Sequence, residues 1–187
     1  TTASAVPERL TPANLRLLIL LLVSAFVVIL NETTMGVALP PIMDDFGITA
    51  ATGQWLTTAF LLTMAVVIPT TGWLLGRLGT RTAYLVAMSA FSIGTALAAF
   101  APTFEVLLAA RVVQASGTAI MMPLLMTTVM RIVPPSQRGR VMGNVSLVIA
   151  AAPALGPSAS GLVLRGLTWH WIFAIVLPIA LVALVCG

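Results

Sequence analysis

Apolar residues run along the chain in six blocks of about 20, separated by short connections that hold nearly all the charge. The blocks cover 15–39, 51–75, 82–100, 103–129, 141–164 and 167–185. That length matches the ~20 residues a helix needs to cross a bilayer, whereas barrel strands would be roughly 10-residue segments of alternating polarity. No such alternation occurs. The pattern therefore predicts an all-α transmembrane fold: a six-helix bundle over 15–187, preceded by a polar tail over 1–14.

Composition agrees with the pattern. Hydrophobic residues make up 59% of the 187 and charged residues only 7%, with a mean hydropathy of +1.09. A soluble domain carries about 25% charged residues, so most of this surface is expected to meet membrane lipid. Backbone groups must then satisfy one another within helices.

The nine cations are all arginine. Arg9 and Arg16 stand before and at the start of the first block, Arg77 and Arg81 join the second to the third, and Arg131, Arg138 and Arg140 join the fourth to the fifth. These segments share one side. The other side has Asp44, Asp45 and Glu105, with Arg165 and His170 as its only potential cations. The positive-inside rule predicts a multi-pass protein of the cell membrane with a cytoplasmic N-terminus. The net charge of +4 is thus a topology signal, and no nucleic-acid partner is expected. A single cysteine, Cys186, excludes an intrachain disulfide and a multi-Cys metal site. No cluster with metal-ligand spacing is visible, and no cofactor is expected. The polar tail and long first block do not fit a cleavable signal peptide. The chain begins with Thr and stops just past the sixth block, which suggests a fragment whose C-terminal half is absent.

Away from the block ends, two charged residues lie inside the blocks, Glu32 in the first and Arg111 in the fourth. Each costs about 2.5–3.5 kcal/mol on insertion scales, which makes both functional candidates. Counted from Leu39 and Thr103, both lie roughly 10–12 Å below one surface at 1.5 Å per residue. Equal depth permits a pair in which Glu32 carries a proton and Arg111 tunes it; an ion pair that merely locks two helices fits the same residues. Steps of three or four place Gln114, Ala115, Thr118 and Met122 on the Arg111 stripe. With Asn31 from the first block, Gln114, Thr118 and Met122 are candidate cavity residues, and Met121, Met126 and Met130 add polarizable surface.

The fifth block contains Pro153, Gly156, Pro157 and Gly161. Prolines there can kink a helix, and small residues let a neighbour approach, whether for movement or for static packing. The second block ends in Gly72, Arg77, Gly79 and Arg81. Gly72 permits close contact and Gly79 suits a tight turn. A weak echo, Pro69–Gly72–Arg77 against Pro157–Gly161–Arg165, runs in opposite directions across the membrane, as in a 3+3 inverted repeat.

Taken in order, these segments resemble the major facilitator superfamily, and within it the drug:proton antiporter branch usually drawn with fourteen spans. Leu30, Thr33, Ala38, Leu39 and Pro40 match that branch's first-span signature. Gly72, Arg77, Gly79 and Arg81 match the superfamily's loop signature, Arg111 and Gln114 its buried-arginine motif, and Gly156, Pro157 and Gly161 the antiporter motif. The run from Trp169 to Phe173 resembles the start of the sixth span, and the Asn31–Thr34 run with Ser160 resembles the lincomycin-resistance type of exporter. Three departures stand out. Gly76 replaces the loop Asp, Asn31 replaces the first-span Asp with Glu32 turned about 100° from it, and Ala152 and Ser160 stand where glycines are common.

The resemblance implies a secondary active transporter rather than an enzyme. It implies proton-coupled efflux of small drug-like molecules by alternating access, with this chain as the N-terminal half and the missing half as its partner. Glu32 and Arg111 would couple protons, Asn31, Gln114, Thr118 and Met122 would line the cavity, and Arg77 and Arg81 would control a cytoplasmic gate. Pro153, Gly156, Pro157 and Gly161 would let the fifth span bend. The third span, and to a lesser degree the sixth, would lean toward lipid. A proton-coupled importer of the same fold is the nearest rival. A non-transporting receptor or assembly subunit is a further alternative.

Overall fold

Thr11 starts the first helix. In the computed structural model, which describes residues 11–187, its Oγ1 accepts the Asn14 N–H at 3.3 Å, and Pro12 fills the first turn, where its missing N–H is not needed. Arg9 and the tail up to residue 10 lie outside the described residues. Helix α1 (Pro12–Phe46) runs 35 residues and extends past the expected end at Leu39. Pro40 and Pro41 sit inside it, since each removes only its own bond to the preceding turn. The helix stops instead at Gly47, left-handed at φ 60°, whose N–H bonds back to the Met43 carbonyl.

A single turn, α2 (Ala50–Gly53), leads into α3 (Trp55–Ala99), 45 residues long. Straight, α3 would measure about 68 Å, more than twice a bilayer core. It is not straight, because Leu56 packs in one cluster with Ala98 and Ala99. The chain reverses at Gly79, whose φ of 72° and ψ of 168° belong to a region open essentially to glycine alone. The limbs 55–78 and 80–99 are the expected second and third crossings. Among the described residues the six expected crossings therefore fall on five long helices, because the expected loop has shrunk to one residue. The rest are α4 (Phe104–Ile132), capped by Thr103 and with Glu105 in its first turn, α5 (Pro135–Val163) and α6 (His170–Cys186). At the far end of α4, Arg138 donates to the carbonyls of Met130 and Val133 at 2.9 and 3.1 Å.

Helix α4 lies against α3, α5 against α1, and α6 against α3 and α1. Missing side chains permit the tightest approaches. A Cβ on Gly94 would stand 2.5 Å from the Gln114 backbone nitrogen, and one on Gly117 would meet the Ala87 carbonyl and, at 2.6 Å, the Phe91 nitrogen. Together they fix the limb 80–99 onto α4. That limb leans toward lipid on one stripe only, through Val86, Ile93 and Leu97; its other faces are buried.

The apolar core is layered. One cluster, at the end bearing the arginine turns, joins Leu18–Val28 of α1 to Ala83–Phe91, Ile120–Val133 and Val176–Ala183. The other, at the opposite end, joins Met35–Ile42 to Leu56, Ala98–Ala101, Leu107–Ala110 and Trp169–Phe173. The two ends are pinned by polar contacts. Tyr84 Oη donates to the Ala183 carbonyl at 2.7 Å and lies 2.9 Å from Ser24 Oγ at the first. Trp169 Nε1 donates to Asp45 Oδ2 at 2.9 Å at the second.

Candidate functional site: a polar belt between two apolar layers

The polar residues singled out in the sequence fall between the two clusters. Asn31 of α1 and Arg111, Gln114 and Thr118 of α4 are buried at this level with Glu32 half-buried beside them, and Thr34 of α1 and Ser92 and Thr95 of α3 join them there. Each helix contributes its turn at the depth where the apolar clusters leave off.

Arg111 is the largest fully buried side chain, 1% exposed. Its Nη1 donates to Gln114 Oε1, one turn along α4. Gln114 Nε2 then donates to Thr95 Oγ1 at 2.9 Å, and Thr95 Oγ1 to the Phe91 carbonyl at 2.7 Å. The relay has one sense throughout, because guanidinium can only donate and so fixes the amide's orientation. The guanidinium also lies over the Phe60 ring, 4.0 Å from its centroid, a contact worth about 2 kcal/mol when desolvated. Gly94 lets the backbone of Gln114 come close enough for this relay.

The belt is not fully satisfied. Asn31 is 1% exposed with neither side-chain polar atom bonded, and Arg111 Nε and Ser92 Oγ also lack partners. Each such buried group costs about 1–3 kcal/mol. Glu32 and Arg111 do not close to an ion pair within 4.0 Å among the described residues, although their charges interact at longer range. Arg111 thus has a firm neighbour in Gln114 and a distant counter-charge in Glu32. Helix α1 runs on to Phe46, beyond the Leu39 from which depth was counted, and Glu32 and Arg111 both lie in the belt between the two apolar clusters.

Other expected residues are placed as follows. Thr118 turns its hydroxyl onto the Gln114 carbonyl at 3.0 Å, and Met122 packs, half-buried, on the first apolar cluster. Gly156 meets α1 at the belt itself: a Cβ there would run into Thr33 and stand 3.2 Å from the Leu30 carbonyl. Ala152, Gly156 and Ser160 form the buried stripe of α5, while Pro153 and Pro157 lie on its exposed side in one continuous helix. Gly72 and Gly161 have no atom within 4 Å of a would-be Cβ, so the close contact expected at Gly72 is not made within this chain. Arg77 stacks on Trp73 at 4.8 Å, and Arg81 Nε donates to the Gly187 carbonyl at 3.2 Å. Phe60 and Thr95 escaped the sequence reading. The small Gly94 beside Thr95, at the depth of Gln114, was the available signal.

Residues 21–187 match the family model described as Major Facilitator Superfamily. The chain belongs to that superfamily. It is 47% identical over 171 residues to the Lincomycin resistance protein LmrB of Bacillus subtilis, covering 91% of this chain and 36% of that protein. Its identity to the Multidrug resistance protein B homolog of Mycobacterium tuberculosis is 35% over 179 residues, covering 96% and 33%. The chain thus spans about a third of the length of these relatives. Among solved structures, the peptide transporter POT in complex with sulfate superposes with a TM-score of 0.82 at 16% identity, covering 97% of this chain and 39% of that one. A bacterial homolog of the human lysosomal transporter Spinster gives 0.74 at 21%, covering 95% and 43%. These two likenesses show that the helical bundle shares its fold with part of each of these solved structures.

Proposed function

We propose that the intact protein exports drug-like or other small amphipathic molecules, driven by protons moving inward, and that this chain forms one wall of the path. The observation that carries the reading is Arg111: a buried cation, incompletely bonded, with Glu32 in electrostatic range and an unbonded Asn31 amide in the same belt. Intramembrane charges are retained where they serve a pathway, since they cost stability otherwise. The names of the two resistance relatives support drug-like cargo.

Glu32 carries the proton in this scheme, and Arg111 holds the belt's charge while the proton is absent. Asn31, Gln114, Thr118 and Met122 present the substrate-facing wall once the bundle opens. Apolar layers above and below the belt suit alternating access, because either layer can seal the path while the other parts. Gly72, Arg77, Gly79 and Arg81 form the gate on the arginine side, which is the cytoplasmic side of the cell membrane. Gly156 lets α5, with Pro153, Pro157 and Gly161, shift against α1. The proton gradient is the energy source, with no cofactor.

The test uses the full-length protein in inverted vesicles with an acidic lumen. Wild type should accumulate drug in the lumen. Glu32→Gln should abolish gradient-driven accumulation while drug binding persists. Undiminished accumulation in both Glu32→Gln and Arg111→Lys would remove this belt from the coupling machinery, and gradient-driven movement in the opposite direction would favour import.

A further inference from the structure

Away from the belt, α1 and α6 part at the arginine-bearing end and leave a groove. Arg16, Ile19 and Val23 line one side and Ile179, Val182 and Cys186 the other, around about 330 Å³. A second cavity of about 390 Å³ adjoins it, sharing Arg16, Leu20 and Cys186. On each helix the lining residues recur at intervals of three, four and seven, so both stripes are straight and face each other. Ile19, Val23, Ile179 and Val182 are 52, 46, 45 and 63% exposed, so the walls are apolar and uncovered.

The mouth has the opposite character. Arg16 makes no hydrogen bond and has no carboxylate partner among the described residues, whereas Arg81 and Arg138 are tied to carbonyls and Arg77 to Trp73. This end of the bundle carries Arg16, Arg77, Arg81, Arg131, Arg138 and Arg140, and all four described carboxylate side chains, at Glu32, Asp44, Asp45 and Glu105, lie elsewhere. From Arg16 to Val23 the groove runs about 10 Å along α1, most of the depth of one leaflet's ~15 Å hydrocarbon layer.

We propose that this groove binds an anionic phospholipid, with its phosphate on Arg16 and an acyl chain between α1 and α6. The charge at the mouth selects a negative headgroup, and the walls select a hydrocarbon tail. A soluble anion would gain nothing from the walls, and a zwitterionic lipid would gain less from Arg16, because its own cation offsets the phosphate charge. The site is separate from the belt and does not depend on the direction or coupling of transport.

The full-length protein, placed in nanodiscs of equal phosphatidylglycerol and phosphatidylcholine, is released into a mass spectrometer and its retained lipids are counted. Wild type should retain phosphatidylglycerol in preference, and Arg16→Gln should cut that preference about fivefold, the weight of one arginine near a charged surface. Ile179→Trp and Val182→Trp, both at exposed positions, should lose one retained lipid altogether. Arg140→Gln, on the same face but outside the groove, should change nothing. Equal losses in Arg16→Gln and Arg140→Gln would mean a diffuse surface field and overturn the site. So would full retention in both tryptophan variants, which would place the lipid elsewhere or leave the groove to a following segment of the chain.

Discussion

Replacing Gly94 by alanine tests whether the Arg111 relay depends on how closely α3 and α4 approach. The new Cβ would stand 2.5 Å from the Gln114 nitrogen, 2.7 Å from its Cα and 2.8 Å from the Ala110 carbonyl. All three are backbone atoms of α4, so no rotamer change relieves them. Restoring an ordinary contact near 3.4 Å requires the helices to part by about 0.9 Å (3.4 minus 2.5). The neighbouring bond from Gln114 Nε2 to Thr95 Oγ1, now 2.9 Å, would stretch toward about 3.8 Å, beyond hydrogen-bond range. Overpacking costs about 1–3 kcal/mol and the broken bond about 1. Alanine's better helix propensity returns about 0.5–1 kcal/mol. The net loss is about 2 kcal/mol. Unfolding of the intact transporter in micelles of rising dodecyl sulfate content, followed by tryptophan fluorescence, measures it. The control is Gly166→Ala, which meets no atom within 4 Å and should stay within about 0.5 kcal/mol of wild type. If the two variants unfold alike, the close approach is not what holds Gln114 in place.

Gly79→Ala should cost about 1–3 kcal/mol from backbone strain in the same titration, and Gly79→Asn should not rescue it, because ψ 168° lies outside the left-handed region that asparagine tolerates. Tyr84→Phe should lose about 1–3 kcal/mol, since it leaves the buried Ser24 hydroxyl and the Ala183 carbonyl without a partner; adding Ser24→Ala should recover part of the loss in a double-mutant cycle. Trp169→Phe should cost about 1–2 kcal/mol through the bond to Asp45, and the loss should shrink when Asp45 is already alanine.

The helices were legible because lipid imposes a length that no soluble helix must meet, and the family was legible because motif spacing survives in one dimension. The end of α1 was not. The first apolar block ends at Leu39, yet Pro40 and Pro41 each break one bond rather than the helix, which runs on to the left-handed Gly47. Glycines were equally ambiguous. Gly72, Gly94, Gly117, Gly156 and Gly161 look alike in sequence, but only the middle three meet a facing backbone or side chain. Which glycine does so depends on how each helix is rotated about its axis, and periodicity within one helix carries no information on that. For the same reason Gln114 was found on the Arg111 stripe, whereas Phe60 and Thr95, brought in by another helix, were not.

With only Gly79 between its limbs, α3 constrains how the chain is threaded into a bilayer during synthesis. One residue spans at most about 3.6 Å and cannot cross a hydrocarbon core of ~30 Å. Residues 55–78 and 80–99 therefore share a single decision about orientation, and an inverted second crossing would drag the third with it. Arg77 and Arg81, one on each side of the bend, weight that decision toward one outcome by anchoring the hairpin tip on the side where insertion keeps positive charge.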